Sequence, residues 1–444
     1  MLIQFIVENF KSFREETILN MVAGPYSDHE NHIYEFKDGK EGKLLRSSAL
    51  YGANASGKTN LVEALLFARN LITDGTIGEQ RINVQPFKLS EKSKNKPSRF
   101  EFVIKQEDVI YHYGFIVNHT KVLEEWLFAT PNKKEVKYFE RFDSDSNRIR
   151  LSIGTNLAVR GSKAGKVLDL IAETTRSNQL FLKEAYEKNV EKLKPVYDWF
   201  DSVLTVIPVV SEYTPLELRA FSDENFTEFL SSFLSKADTG IESIQAHSTD
   251  MNLDDHFSDL PVKLREDIKE RVNSGGSVVF NYTDRRKYAV LNNDDGDMVA
   301  ISLKARHRMD NDKFIDFEIY EESDGTQRLL NMLPALADMG QANKVCFIDE
   351  LDRRMHTQLT RHFLEYYFNK CGNNNQLIFT THDTNLLDSD LLRRDEIWFI
   401  EKGNTEVSNL YSLSDYKPRN DLNLSKSYLQ GRFGAIPYIK SEPV

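Results

Sequence analysis

The chain has 444 residues, 40% hydrophobic and 28% charged, with 57 Lys and Arg against 68 Asp and Glu for a net charge of −11. That apolar content excludes a wholly disordered chain, and the acidic balance excludes broad electrostatic capture of DNA or RNA, so nucleic-acid binding would need a local basic patch. No stretch approaches the roughly 20 apolar residues that cross a bilayer, the opening residues lack a secretory pattern, and Cys346 and Cys371 are too few for a disulfide framework.

The expectation is therefore a cytoplasmic protein of two or three structural units, at about 150 residues per unit. Ile3, Phe5 and Val7 alternate with polar neighbours and predict a first strand. A second strand is expected at Ser48-Ala49-Leu50-Tyr51, then a Gly-containing loop. The helix after it carries Leu61, Ala64, Leu65, Leu66, Ala68 and Leu71 at helical spacing. Residues 81–155 read as β-rich, since Phe100, Phe102 and Ile104 alternate, as do Tyr111, Tyr113 and Phe115, and 92–96 is a charged loop. Residues 165–275 turn helical and polar, with helices expected over 184–193, ended by Pro195, and over 223–237. Residues 277–282 and 314–320 are β-like. Beyond Ser323 the pattern is α/β, with apolar runs at 345–348, 376–380 and 397–400 that fit buried parallel strands.

The strongest local signal is Gly52-Ala53-Asn54-Ala55-Ser56-Gly57-Lys58-Thr59, which matches the P-loop pattern GxxxxGK[ST] between a strand and a helix. Glycines let backbone N–H groups converge on phosphate oxygens, and the helix N-terminus favours the anion. Asn54, Ala55, Ser56, Gly57, Lys58 and Thr59 are the expected nucleotide contacts, with Lys58 reaching the β- and γ-phosphates and the Thr59 hydroxyl on Mg²⁺. Four apolar residues then precede Asp349-Glu350. A buried strand puts such carboxylates at the sheet edge where the P-loop lies. Asp349 would hold Mg²⁺, and Glu350 would polarise the attacking water. The expected cofactors are thus ATP and Mg²⁺. GTP is disfavoured because the nearest phrase to a guanine-reading [NT]KxD, Asn343-Lys344-Val345-Cys346, ends in Cys.

Two further pieces narrow the class. Ser323-Asp324-Gly325-Thr326-Gln327 opens an apolar helix that Ser323 and Asp324 can cap, and His382 lies just past a buried strand. The order P-loop, Ser-Asp-Gly-Thr-Gln helix, Asp-Glu strand, His strand resembles the ABC-type ATPase family, in its soluble RecF/SMC/OLD-like branch. The resemblance covers about residues 1–130 and 315–440. It implies a signature at Ser323, Gly325 and Gln327, a D-loop at Leu351-Asp352-Arg353-Arg354-Met355-His356 and a switch role for His382. It places Lys11, in Asn9-Phe10-Lys11-Ser12-Phe13, near the adenine, and makes Gln85 the Q-loop glutamine at the metal. Arg354 departs from the family, which commonly has Ser there.

A closer resemblance is to bacterial abortive-infection and phage-defence AAA family ATPases. It is carried by Gln85-Pro86-Phe87-Lys88-Leu89, Glu322-Ser323-Asp324-Gly325-Thr326 and Tyr428-Leu429-Gln430-Gly431-Arg432-Phe433-Gly434-Ala435-Ile436-Pro437. The implied fold is α/β, an ABC-type P-loop head with a β-rich N-terminal lobe and an α/β lobe. The expected division is 1–160 and 276–444 as the two parts of the head, with 161–275 as an inserted, mainly helical lid or arm. The implied activity is ATP hydrolysis in a homodimer or higher homo-oligomer that sandwiches ATP between heads.

Two functions compete at this point. One is a regulatory subunit of an anti-phage defence system that switches a separate effector, a nuclease or toxin; little sequence follows Ile439, so a nuclease is expected on a partner chain. The other is a DNA-repair or chromosome-maintenance ATPase, for which Arg285-Arg286-Lys287 and Arg306-His307-Arg308 are the candidate nucleic-acid patches. A transporter subunit fits poorly, given the long interval between Lys58 and Asp349 and the lack of a membrane-coupling segment. No membrane partner is expected.

Overall fold

The computed structural model describes residues 1–35, 42–131, 134–143, 149–209, 213, 215–281, 287–293, 295–417, 419 and 422–437. The chain divides into two compact units: Met1–Val209 with Ala342–Leu351 and Phe368–Val444, and Val210–Gln341 with Asp352–Tyr367.

The first unit holds a six-stranded sheet in the order Leu204–Ile207, Val345–Ile348, Gln376–Thr380, Ser47–Tyr51, Ile397–Lys402, Ser408–Ser412. All neighbours are parallel except the last pair. Every residue of the three strands from Val345–Ile348 to Ser47–Tyr51 is buried, which is why they read as short apolar runs. Chain-distant strands thus become neighbours, with Ile348 opposite Phe379 and Thr380 opposite Leu50.

The same unit holds a seven-stranded antiparallel sheet in the order Ile149–Ile153, Val136–Asp143, Val122–Thr130, Val109–Val117, Ser98–Gln106, Leu2–Glu8, Thr17–Asn20. The alternating Phe100, Phe102 and Ile104 face one hydrophobic cluster that also takes in Phe5, Phe347 and Ile378. The Phe5 and Phe102 rings stand 4.9 Å apart. Each such ring contributes about 1.5–3 kcal/mol by leaving water. The helix Lys58–Thr73 presents Leu61, Ala64, Leu65, Ala68 and Leu71 to that cluster, while Leu66 is half-buried. Arg46 is fully buried and donates to the carbonyls of Asn31, Cys371 and Gly372. Burial pushes the neighbouring Cys371 thiol up to about 12, although Arg46 opposes the shift.

The second unit is built on an antiparallel sheet in the order Ile241–Asp250, Met298–Arg308, Lys287–Asn292, Val278–Asn281, with Phe314–Glu318 also paired to Met298–Arg308. Helix Val262–Asn273 packs Ile268 and Val272 with Phe257, Val290 and Ala300. Helix Glu224–Ser235 is capped by Asp223, whose carboxylate accepts the Phe226 N–H.

The expected α/β class and two-lobe head are present, but the expected boundaries move. Leu204–Ile207 pairs in parallel with Val345–Ile348, so residues up to Val209 belong with the first unit instead of starting an arm at 161. Ile241–Asp250 pairs with Met298–Arg308, so the inserted region joins helices to a sheet and continues past 275. Pro195 does not end a helix. It sits in the first turn of Lys194–Asp198, where its missing N–H has no partner to lose. The β-like stretch at 314–320 stops at Glu318 and tightens into the 3-10 turn Ile319–Glu321, and Tyr282 of the 277–282 stretch lies outside the described residues. Among the described residues no helix is long and apolar enough to cross a membrane.

Candidate nucleotide site

The P-loop follows strand Ser47–Tyr51 and feeds helix Lys58–Thr73, whose N-cap is Gly57 at φ 120. Two of its glycines are required by space. A Cβ on Gly52 would stand 2.3 Å from the Ile400 carbonyl oxygen, and one on Gly57 would stand 2.3 Å from Ser408 Oγ. The Gly57 backbone angle is also one that L side chains rarely adopt. Ala55 takes a left-handed φ of 61 without being glycine. Lys58 Nζ donates to the carbonyls of Gly52 at 2.7 Å and Ala53 at 3.1 Å, so its ammonium lies across the loop. Ser56, Gly57 and Lys58 are buried, while Asn54, Ala55 and Thr59 are exposed.

The turn at residues 9–13 braces this loop. Phe10 and Phe13 exchange backbone hydrogen bonds at 2.8 Å. The Ser12 carbonyl accepts the Ser408 N–H at 2.8 Å, and Ser12 Oγ accepts from Asn60 Nδ2 at 2.7 Å. Ser408 Oγ in turn donates to the Ser56 carbonyl. Lys11 sits at φ 48, donates its N–H to the Gln85 carbonyl at 2.7 Å and forms an ion pair with Glu63. Lys11, Glu63 and Gln85 line one cavity of about 360 Å³ along helix Lys58–Thr73. The structure therefore brings Lys11 and Gln85 together beside the P-loop helix.

Asp349 follows strand Val345–Ile348 and is 1% exposed. Its Oδ1 accepts from Thr380 Oγ1 at 2.6 Å, and that hydroxyl accepts the Glu350 N–H at 2.7 Å. The Leu351 N–H bonds the Thr380 carbonyl at 3.0 Å. Glu350 is held at φ 50, a strained angle for a non-glycine residue. Its Oε1 lies 3.9 Å from His382 Nε2, and both side chains are partly exposed, 30% and 37%. The parallel register puts P-loop, carboxylates and His382 on the C-terminal edge of one sheet. A glycine cradle, an ammonium, a hydroxyl and a buried carboxylate form a donor set that fits a Mg²⁺-nucleotide.

The Ser323-Asp324-Gly325-Thr326-Gln327 turn lies in the second unit. Ser323 Oγ accepts the Thr326 N–H at 3.1 Å and so caps helix Asp324–Gln341, as expected. Gln327 Nε2 folds back on the Glu322 carbonyl at 2.7 Å. Arg354, at φ 61, pairs its guanidinium with Asp324 at 3.2 Å. Its carbonyl oxygen would stand 2.7 Å from a Cβ on Gly325, so the D-loop-like turn and the signature-like turn touch. Ser323 and Asp324 are exposed, and Gly325 is buried.

Sequence reasoning missed three residues of the site. Thr380 holds both carboxylate-bearing residues, and its place at the end of the strand before His382 was the available signal. Ser408 and Asn60 brace the loop through the residue 9–13 turn, and nothing in their local sequence marks them.

Fold and edge geometry together define a P-loop ATPase head. A family model described as "AAA domain, putative AbiEii toxin, Type IV TA system" matches residues 47–388, from the start of the P-loop strand to just past His382. The chain belongs to that family. Among solved structures it is similar to an SMC head bound to the C-terminal winged-helix domain of ScpA, at 13% identity and a TM-score of 0.42, covering 94% of this chain and 99% of that one. It is also similar to the SMC head domain from Thermotoga maritima, at 12% identity and a TM-score of 0.37, covering 93% and 98%. A third is the Pyrococcus furiosus SMC head with an extended coiled coil, bound to the C-terminal domain of ScpA, at 12% identity and a TM-score of 0.38, covering 94% and 97%. No curated protein sequence matches the chain.

Proposed function

We propose that this chain is the ATP-binding and ATP-hydrolysing regulatory subunit of a bacterial anti-phage defence system. It would act in the cytoplasm and switch a separate nuclease or toxin chain through ATP-dependent pairing of two heads. The observation that carries the reading is the shared sheet edge, where the P-loop strand, Asp349, Glu350, Thr380 and His382 converge. The family description, with its putative AbiEii toxin and Type IV TA system, supports the defence context.

In this reading the loop amides of residues 54–58 and the Lys58 ammonium grip the β- and γ-phosphates. Thr59 and Asp349 would hold Mg²⁺, with Gln85 near it, and the ion when bound neutralises charge on the phosphate oxygens. Thr380 fixes the Asp349 carboxylate and the Glu350 backbone, so Glu350 needs little reorganisation to accept a proton from the attacking water. His382, beside Glu350, donates to a γ-phosphate oxygen. Lys11 lies on the adenine side. Ser323, Gly325 and Gln327 complete the site of a second copy, so the γ-phosphate joins two heads and its loss separates them.

The test is the native mass of Glu350→Gln with and without ATP. The expected result is a dimer or higher assembly that forms only with ATP and does not decay. A variant that binds ATP and stays monomeric would remove the signature assignment.

A further inference from the structure

The arginine-rich phrases that stand out in the sequence are taken up within the fold. Arg306 pairs with Asp316 at 2.8 Å, His307 with Glu322 at 2.6 Å and Arg308 with Asp312 at 3.0 Å. Lys287 pairs with Glu217 at 3.0 Å, and Arg285 and Arg286 lie outside the described residues. The tail phrase at 428–437 is the motif that the ATPase chemistry leaves unused, and it lies in the same unit as the nucleotide site.

The tail is a short helix followed by a hook. Asn423 caps helix Leu424–Leu429, its Oδ1 accepting the Lys426 N–H at 2.8 Å. Gly431, at φ 75, ends it. The Gly431 N–H bonds the Tyr428 carbonyl at 2.8 Å, and the Arg432 N–H bonds the Ser427 carbonyl at 3.1 Å. The chain then turns through Gly434 at φ 66, where a Cβ would stand 2.7 Å from Tyr411 Oη and 2.9 Å from Glu401 Oε2. Tyr411 and Tyr416 both donate to the Phe433 carbonyl, at 2.8 Å and 3.2 Å. Tyr428 Oη donates to the Ala435 carbonyl at 2.9 Å. Burial, helped by the Glu401 carboxylate, pushes the Tyr428 phenol up to about 12, so it keeps its proton for that bond.

The hook grips the root of the P-loop. Tyr51 is the last residue before Gly52, and Phe399 stands opposite it in the parallel register. The buried Tyr428 ring stacks on Phe399 at 5.4 Å and meets Tyr51 edge-on at 6.1 Å, while Phe433 stacks on Phe399 at 5.7 Å. The same tail helix packs against the 3-10 turn Thr384–Leu386. That turn starts two residues after His382 and is capped by Asp383, whose Oδ1 accepts the Asn385 N–H at 2.9 Å. On the other side of His382, the Thr381 N–H bonds the Leu50 carbonyl at 3.1 Å. His382 therefore sits between a strand tied to the P-loop strand and a turn held against the tail.

We propose that the tail at 423–437 is a strut that sets His382 against the P-loop, with Tyr428 as its positioning residue. The inference rests on the ATPase reading and on the role given there to His382. The P-loop has its own braces in Ser408 and in the turn at residues 9–13, so its grip on phosphate survives loss of the strut. What is lost is the distance from His382 to the γ-phosphate, and a displacement of that kind lowers turnover without weakening binding.

The experiment is a double-mutant cycle in the full chain between Gly434→Val, which forces the hook off Tyr411 and Glu401, and His382→Ala. Turnover of Mg-ATP, affinity for a fluorescent nucleotide and melting temperature are read for each. His382→Ala should lower turnover by roughly 10²-fold, as expected for one donor to developing charge. Gly434→Val should lower it by about tenfold, with nucleotide affinity held within about twofold. The double variant should match His382→Ala alone, because the strut acts through that residue. Tyr428→Phe keeps the ring and removes only the bond to Ala435, so it should show the same pattern at smaller amplitude in a chain that melts close to wild type. Losses that multiply in the double variant overturn the inference, as does normal turnover by both tail variants. A fall in nucleotide affinity equal to the fall in turnover also overturns it, since the tail would then only support the P-loop. Normal turnover by His382→Ala removes the role of His382 and the strut together, whereas multiplying losses remove the strut alone.

Discussion

The carboxylate edge of the first unit and the signature-like turn of the second are held in opposite ways. Asp349, Glu350 and Leu351 are all fixed by Thr380, some thirty residues away on the neighbouring strand, and the P-loop is fixed by Ser408 and by the turn at residues 9–13. The turn at Ser323 is held mainly by itself, through Ser323 to Thr326 and Gln327 to Glu322, with Arg354 as its distant contact. The first arrangement buries the Asp349 carboxylate and depends on pairing across the sheet. The second is preformed, local and exposed, which suits a group offered outward to another molecule. In the proposed reading, the difference is that between machinery for chemistry and a recognition element.

Substitutions can break either side of that contrast. The largest effect is expected from Glu350→Gln, which should lower steady-state phosphate release by about 10²–10⁴-fold with nucleotide affinity nearly unchanged. Unaltered release would take the base role from Glu350. Next, Lys58→Ala removes a charge-assisted donor worth about 1.5–3 kcal/mol, so a fluorescent nucleotide should bind roughly 10–100-fold more weakly. Undiminished affinity would mean the loop does not grip phosphate.

Thr380→Val is the sharper probe of the first side. It leaves the Asp349 carboxylate and the Glu350 N–H without their shared hydroxyl, at a cost of about 1–3 kcal/mol. Turnover should fall more than nucleotide affinity, and thermal melting should drop. A variant that melts earlier but turns over normally would make Thr380 structural only. The smallest effect on a single chain is expected from Gly325→Ala. Its Cβ would press on the Arg354 carbonyl at 2.7 Å and shift the exposed turn. ATP-driven assembly, read by native mass, should weaken while nucleotide binding by the isolated chain stays as it was. If nucleotide binding fell equally, the two regions would not be separable.

Much of this site was legible from the chain alone because its chemistry is local. Eight consecutive residues specify the P-loop, since the phosphate grip needs glycines, a lysine and a hydroxyl at fixed spacing. The strands Val345–Ile348 and Gln376–Thr380 were legible because sheets buried on both faces leave unbroken apolar runs. The signature cap was legible because Ser323 needs only its own next turn.

The rest depended on contacts far apart in sequence. Leu204–Ile207 looks like part of a helical region until it pairs with Val345–Ile348 and moves the unit boundary to Val209. Asn9 is an ordinary polar residue in sequence, yet in the fold its amide ties Ser93, Lys96 and Pro97 to the turn beside the P-loop, and the stretch expected as a charged loop begins in the short helix Glu91–Lys94. Arg306 and Arg308, which stood out in sequence, pair with Asp316 and Asp312 in the fold. Local spacing can state which groups a chain carries and which turns they favour. Pairing across a sheet, and whether a charge meets its opposite, depend on residues hundreds of positions away, so only the folded chain settles them.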